Sequence, residues 1–92
     1  MEDVDSMTKQ VDQFFRADGS LIHIPAKDSK KIEVLNRIAV NFSPDTIYPE
    51  RELNEILARF HSDTAALRRH MIQFGILERD NASNYWLAKK AN

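Results

Sequence analysis

The sequence predicts an α+β fold of three helices and a C-terminal β-hairpin, preceded by an N-terminal helix and a short strand. Three observations carry that prediction. Apolar residues recur at helical spacing in two neighbouring stretches, Leu53, Ile56, Leu57 and Phe60, then Leu67, Met71 and Phe74. Gly75 closes the second stretch, where a helix commonly takes a left-handed residue. Two apolar or aromatic runs, Ile76 to Arg79 and Tyr85 to Ala88, then flank the turn-forming residues Asp80 to Asn84. Helix, tight turn, helix and hairpin is the order of a winged helix-turn-helix.

Taken in order, Val4, Met7, Val11 and Phe14 or Phe15 fall at helical spacing and predict an amphipathic helix over residues 4–15. It either covers the domain's own core or serves as a dimerisation helix. Asp18-Gly19 marks a turn, and Ser20 to Ile24 is β-prone, a short strand that Pro25 ends or puts at a sheet edge. The longest helix runs from Lys27 to Phe42, with Ile32, Leu35, Ile38, Ala39 and Phe42 inward and Asp28 or Ser29 as its cap. Thr46 to Tyr48 forms a very short strand beside the hairpin. A helix from about Glu50 to Phe60 follows, with Pro49 as its first helical residue. Glu50, Glu52 and Glu55 crowd its solvated side, away from any cleft. The next helix covers Asp63–Phe74, capped by Ser62 or Asp63. This divides the chain into an extension over 1–26, a winged-helix domain over 27–88 and a tail over 89–92.

The outward side of the Asp63–Phe74 helix carries Ala65, Arg69, Ile72 and Gln73, with Arg68 on its shoulder and Thr64 at its margin. Small residues, two arginines and an amide resemble a groove-reading surface. Arginine grips guanine or phosphate bidentately, and Gln73 can pair with adenine. The plainer alternative is that Arg68 and Arg69 solvate a surface helix. Asn81 and Asn84 sit where a wing tip can touch the nucleic-acid backbone or minor groove. Lys27, Lys30 and Lys31 cluster at a helix start, where the dipole disfavours cations; they either serve a phosphate, with Lys30 and Lys31 in reach, or form a solvated end. Trp86 either stacks on a base or, the commoner role, anchors the hairpin to the core beside Tyr85 and Leu87.

Composition narrows the function classes. Ninety-two residues supply one modest core, and 42% hydrophobic with 29% charged residues suits a globular chain. Without cysteine there are no disulfides and no cysteine-ligated metal centres. No apolar run approaches the roughly 20 residues of a membrane span. The N-terminus, acidic at Glu2, Asp3 and Asp5, is unlike a secretory signal, so a cytoplasmic protein is expected. The net charge of −1 argues against indiscriminate nucleic-acid binding, but it is uneven. Residues 1–26 hold five acids against two bases, and residues 27–92 hold eleven bases against nine acids.

Catalytic chemistry has little to stand on. His61 and Asp63 lie two apart, with His23 and His70 elsewhere, and no HxxxH or HExxH spacing occurs. His61 is better employed satisfying backbone groups in its turn. Glycine appears only at 19 and 75, so no phosphate-cradling loop is present, and no serine sits in a nucleophile elbow. The expectation is a non-enzyme without cofactor or metal.

Several runs resemble a known family: Phe15 to Gly19, Ile24 to Lys27, Tyr48, Glu50 to Leu57, Phe60-His61, Asp63, Ala65, Leu67 to Arg69, Gly75 to Arg79 and Tyr85-Trp86. They are similar, over about residues 14–87, to the small prokaryotic family of domain of unknown function 2087. The resemblance implies a winged-helix domain, found alone or in arsenic-repressor-like transcription regulators. Two positions depart from the pattern. Pro49 stands where a serine or threonine cap is frequent, and the wing turn Asn81 to Asn84 lacks glycine.

The expected function is therefore a transcription-regulatory module binding double-stranded DNA, as a homodimer if it reads sequence. Its alternative is a protein-binding or effector-sensing winged helix that uses Ile72, Ala65 or the N-terminal helix as an apolar surface.

Overall fold

The computed structural model describes residues 11–89. Val4 and Met7 of the expected N-terminal helix, and all but Lys89 of the tail, lie outside them. Six elements follow in order: α1 (Asp28–Ala39), β1 (Tyr48–Pro49), α2 (Glu50–Leu57), α3 (Thr64–Gln73), β2 (Leu77–Arg79) and β3 (Asn84–Leu87). The strands form one antiparallel sheet in the order β1-β3-β2. Three helices with a small three-stranded antiparallel sheet make a mixed α+β domain, compatible with a winged-helix-like fold.

The described chain begins in helical conformation at Val11 and Asp12, and Val11 is 7% exposed against the core. The Arg16–Gly19 turn forms as expected, with Gly19 at φ 92° and the Arg16 amide donating to the Ser20 carbonyl at 2.7 Å. The expected strand over Ser20 to Ile24 is absent. Leu21 makes a single antiparallel bridge with Phe15, while its amide donates to the Phe60 carbonyl and the next amide, of Ile22, to that of Phe14. The Phe15–Leu21 bridge is not followed by a second pair, so no continuous partner extends it into a ladder. The β-prone pattern still does its burial work, because Leu21 is 1% exposed.

Helix α1 is shorter than Lys27–Phe42 and shifted in its inward face. Lys27 is the N-cap, with no side-chain cap, so neither Asp28 nor Ser29 fills that role; Asp28 lies in the first turn, where the dipole favours a carboxylate. Val34, Leu35 and Ile38 are buried, while Ile32 and Ala39 flank them. Beyond Ala39 the Asn41 amide and side chain both donate to the Ile38 carbonyl, and the Phe42 amide to that of Ala39, which tightens the last turn and stops the helix. Phe42 nevertheless stays buried and meets Tyr48 edge to face at 5.2 Å.

Helix α2 buries Leu53 and Leu57, as the stripe predicts, and ends there instead of at Phe60. Pro49 precedes the helix as its N-cap and pairs with Asn84 in the sheet, because its ψ of 151° is extended, not helical. Between α2 and α3, His61 Nδ1 accepts from the Asp63 amide at 3.0 Å, the expected satisfied turn. Asp63 caps α3 by accepting from the Ala66 amide. Leu67 and Met71 are fully buried. Gly75, at φ 73°, closes the helix in a Schellman arrangement: its amide donates to Ile72 and that of Ile76 to Met71. Together with Leu21, Leu77 and Tyr85, these side chains form one core shared by α1, α2, α3 and the sheet.

Candidate nucleic-acid interface

Helix α3 and strand β2 leave an open cleft between them. Pairing places Arg79 opposite Tyr85, and strand alternation puts Arg79 on the same face as buried Leu77. Arg79 therefore points toward α3, where Ala65, Arg68, Arg69 and Ile72 form the other wall. The cleft encloses about 320 Å³. Its three guanidinium groups come from two elements and share the space with one carboxylate, Glu50.

Arg68 and Arg69 are neighbours in sequence but unlike in role. Arg68 is tied to α2, donating to Asn54 Oδ1 through Nη1 and lying 3.9 Å from Glu50 Oε2 through Nη2. Only 21% of its side chain is exposed. The sequence reading grouped it with Arg69 as a surface cation; the structure makes it a link between the two helices, because Glu50 and Asn54 lie one turn apart on the face of α2 that meets α3. Arg69 is exposed and has no such partner among the described residues.

Arg79 is presented in a fixed attitude. Its Nε donates to the Asp80 carbonyl at 3.2 Å, and its guanidinium stacks 5.5 Å above the Tyr85 ring. Tyr85 is 2% exposed and donates its hydroxyl to Glu50 Oε1 at 3.0 Å. Burial first, then the hydrogen bond to Glu50 and its charge, push the phenol above its ordinary pKa, so it remains a neutral donor. Glu50, which the sequence reading set apart from any cleft, belongs to this one. As the first residue of α2 it sits beside β1, and β1 pairs with the strand carrying Tyr85. Arg79, Tyr85 and Glu50 were missed as site residues. Alternation from Leu77 was the one available signal for Arg79.

The other expected contact residues are distributed less evenly. Ala65 and Gln73 are exposed on α3, Gln73 Oε1 lying 3.4 Å from His70 Nδ1. Thr64 opens that helix and is half-buried. Lys31 is 15% exposed and pairs with Asp28 at 3.8 Å, while Lys30 is half-buried; neither lines the arginine cleft. At the wing tip, Asn81 is exposed. Asn84 instead holds the turn together: Asp80 accepts from its amide, from its side chain and from the Ala82 amide. These hydrogen bonds, led by those from Asn84, hold the Asp80 carboxyl below the usual carboxylate range. With Asp80 as organiser, Ser83 takes the left-handed conformation, φ 64°, that glycine fills elsewhere.

Trp86 does not anchor the hairpin to the core. It lies on the opposite face of β3 from Tyr85, and its Nε1 donates to Glu78 Oε1 at 2.9 Å across the hairpin. Tyr85 is the anchor. Among the described residues, no group of three histidine, aspartate or glutamate side chains is arranged to hold a metal ion, and no helix is long and apolar enough to cross a membrane.

Residues 20–87 match a family described as an uncharacterized protein conserved in bacteria, domain of unknown function 2087. No curated protein and no solved structure matches the chain.

Proposed function

The chain belongs to that bacterial family, and from this premise we propose that it is a cytoplasmic, transcription-regulatory module that binds double-stranded DNA. The observation that supports this reading is the convergence of Arg69 from α3 and Arg79 from β2 on one open cleft, beside the restrained Arg68. Helix α3 enters the major groove with Ala65 and Gln73 outward, and Arg69 and Arg79 meet the phosphate backbone alongside it. A single domain of this size reads few bases, so sequence-specific binding requires a homodimer. Electrostatics favours the reading only locally: the cleft is cationic although the chain as a whole carries −1.

The test is fluorescence anisotropy with mixed-sequence duplex DNA across a salt series, comparing wild type with Arg69→Ala/Arg79→Ala. Each lost phosphate contact lowers the slope of log affinity against log salt by about 0.9, so the double variant should lose about 1.8. Absence of binding by the folded wild type at about 50 mM salt, where counterion release favours association most, refutes the proposal.

A second reading is supported by a different surface. A groove of about 610 Å³ runs between α1 and the base of the hairpin, with Ile32, Val40, Phe74 and Leu87 in its lining. Val40 is 78% exposed there. An apolar groove of this size suits a protein contact or a small effector. Binding to either would be largely insensitive to salt, unlike binding to DNA.

A further inference from the structure

We infer that Glu50 restrains Arg68, so that the cleft offers DNA two guanidinium groups instead of three. The inference rests on the DNA-binding reading and assigns Glu50 and Asn54 a part in setting its strength and selectivity. Tyr85, almost fully buried, fixes one oxygen of Glu50 by donating to it at 3.0 Å. The other oxygen lies 3.9 Å from Arg68 Nη2, while Nη1 of the same guanidinium donates to Asn54 Oδ1. Residues 50 and 54 are one helical turn apart, so α2 presents a hydrogen-bond acceptor and an ion-pair partner to one planar fork. A chain of three side chains, Tyr85, Glu50 and Arg68, thus runs from the core to the cleft and ends on a cation, whose other arm Asn54 holds.

Two consequences follow for a polyanion. A phosphate approaching Arg68 meets the Glu50 carboxylate, whose charge opposes it and already engages the guanidinium. Arg69, one position on, has no comparable acceptor among the described residues and is free to take a phosphate. Glu50 is 38% exposed, so its charge reaches the cleft instead of being shut away from it. Restraint of this kind weakens backbone contacts, which carry no sequence information, and leaves a larger share of the affinity to groove contacts.

Glu50→Gln tests this on the intact chain. Glutamine keeps a carbonyl oxygen for the Tyr85 hydroxyl and removes only the charge. Binding to mixed-sequence duplex DNA should tighten, and the log–log salt slope should steepen by about 0.9, one further phosphate contact. Between about 50 and 200 mM salt the variant should then lose ~3.5-fold more affinity than wild type. Adding Arg68→Ala to Glu50→Gln should return the slope to the wild-type value. An unchanged slope in Glu50→Gln overturns the inference while DNA binding itself stands, and so does a gain that survives Arg68→Ala. If neither wild type nor Glu50→Gln binds while circular dichroism reports both folded, the DNA-binding reading fails and the inference falls with it.

Discussion

Replacing Arg68 with alanine should destabilise the fold, whereas the same change at Arg69 should not. The Arg68 guanidinium bonds Asn54 from a side chain only 21% exposed. A hydrogen bond to a charged group contributes about 1.5–3 kcal/mol, and partial exposure argues for the lower end. The contact with Glu50 is long, at 3.9 Å, and Glu50 is 38% exposed. Screening by solvent therefore limits that contact to about 0.5 kcal/mol or less. A loss of about 1.5–2 kcal/mol is expected for Arg68→Ala, a fall in Tm on the order of 10 °C for a domain of this length. Arg69→Ala, an exposed site without such a partner, should stay within about 0.5 kcal/mol of wild type. Urea denaturation of Arg68→Ala, Asn54→Ala and the double variant isolates the pair, with an expected coupling of about 1 kcal/mol or more. Equal destabilisation by the two arginine substitutions, or additive effects of Arg68→Ala and Asn54→Ala, would refute the assignment of Arg68 as a link between helices.

The remaining predictions concern pH. The Asp80 carboxyl is depressed by the hydrogen bonds of the wing turn, so its contribution is present above the unfolded value of about 3.9 and is lost as pH falls through the lower folded value. Protection of the Ala82 and Asn84 amides, their exchange measured relative to the intrinsic rate at each pH, should fall in acid before the core opens, and Asp80→Ala should show the lower protection already at neutral pH. Tyr85 has the opposite sign: its raised folded value makes the protein's stability fall as pH rises from the unfolded value of about 10 toward the folded one. Tyr85→Phe should remove that alkaline loss, seen as a flatter dependence of the urea midpoint on pH above about 9.5.

What could be read from the chain alone was what depends on local periodicity and on single strong signals. Leu53, Leu57, Leu67 and Met71 fall on helical stripes and are fully buried, and Gly75 closes its helix as a lone glycine at a stripe's end should. Asp63 was legible as a cap because its side chain acts within three residues. What escaped depends on partners remote in sequence. Val34 is buried although Ile32 carried the pattern, because packing against other elements, not hydropathy alone, sets which side of α1 faces inward. Ser20 to Ile24 has strand composition but no continuous partner. The division of labour between Arg68 and Arg69 turns on Asn54 and Glu50, which lie 14 and 18 residues away, and nothing in the Arg-Arg pair distinguishes its members. Tyr85 and Trp86 differ in fate by one step of a two-residue repeat, and neither side chain's chemistry reveals the register.

The short first strand bears on how the protein can assemble. At one margin of the sheet stand only Tyr48 and Pro49, and proline has no N–H to offer an incoming chain. The other margin is three residues long, and its exposed members are the charged Glu78 and Arg79. Both ends of the sheet are therefore poor templates for strand addition, the route by which small β-containing domains fuse into swapped oligomers or fibrils. Among the described residues, side-chain surfaces are therefore better placed than strand edges to join a dimer of this chain.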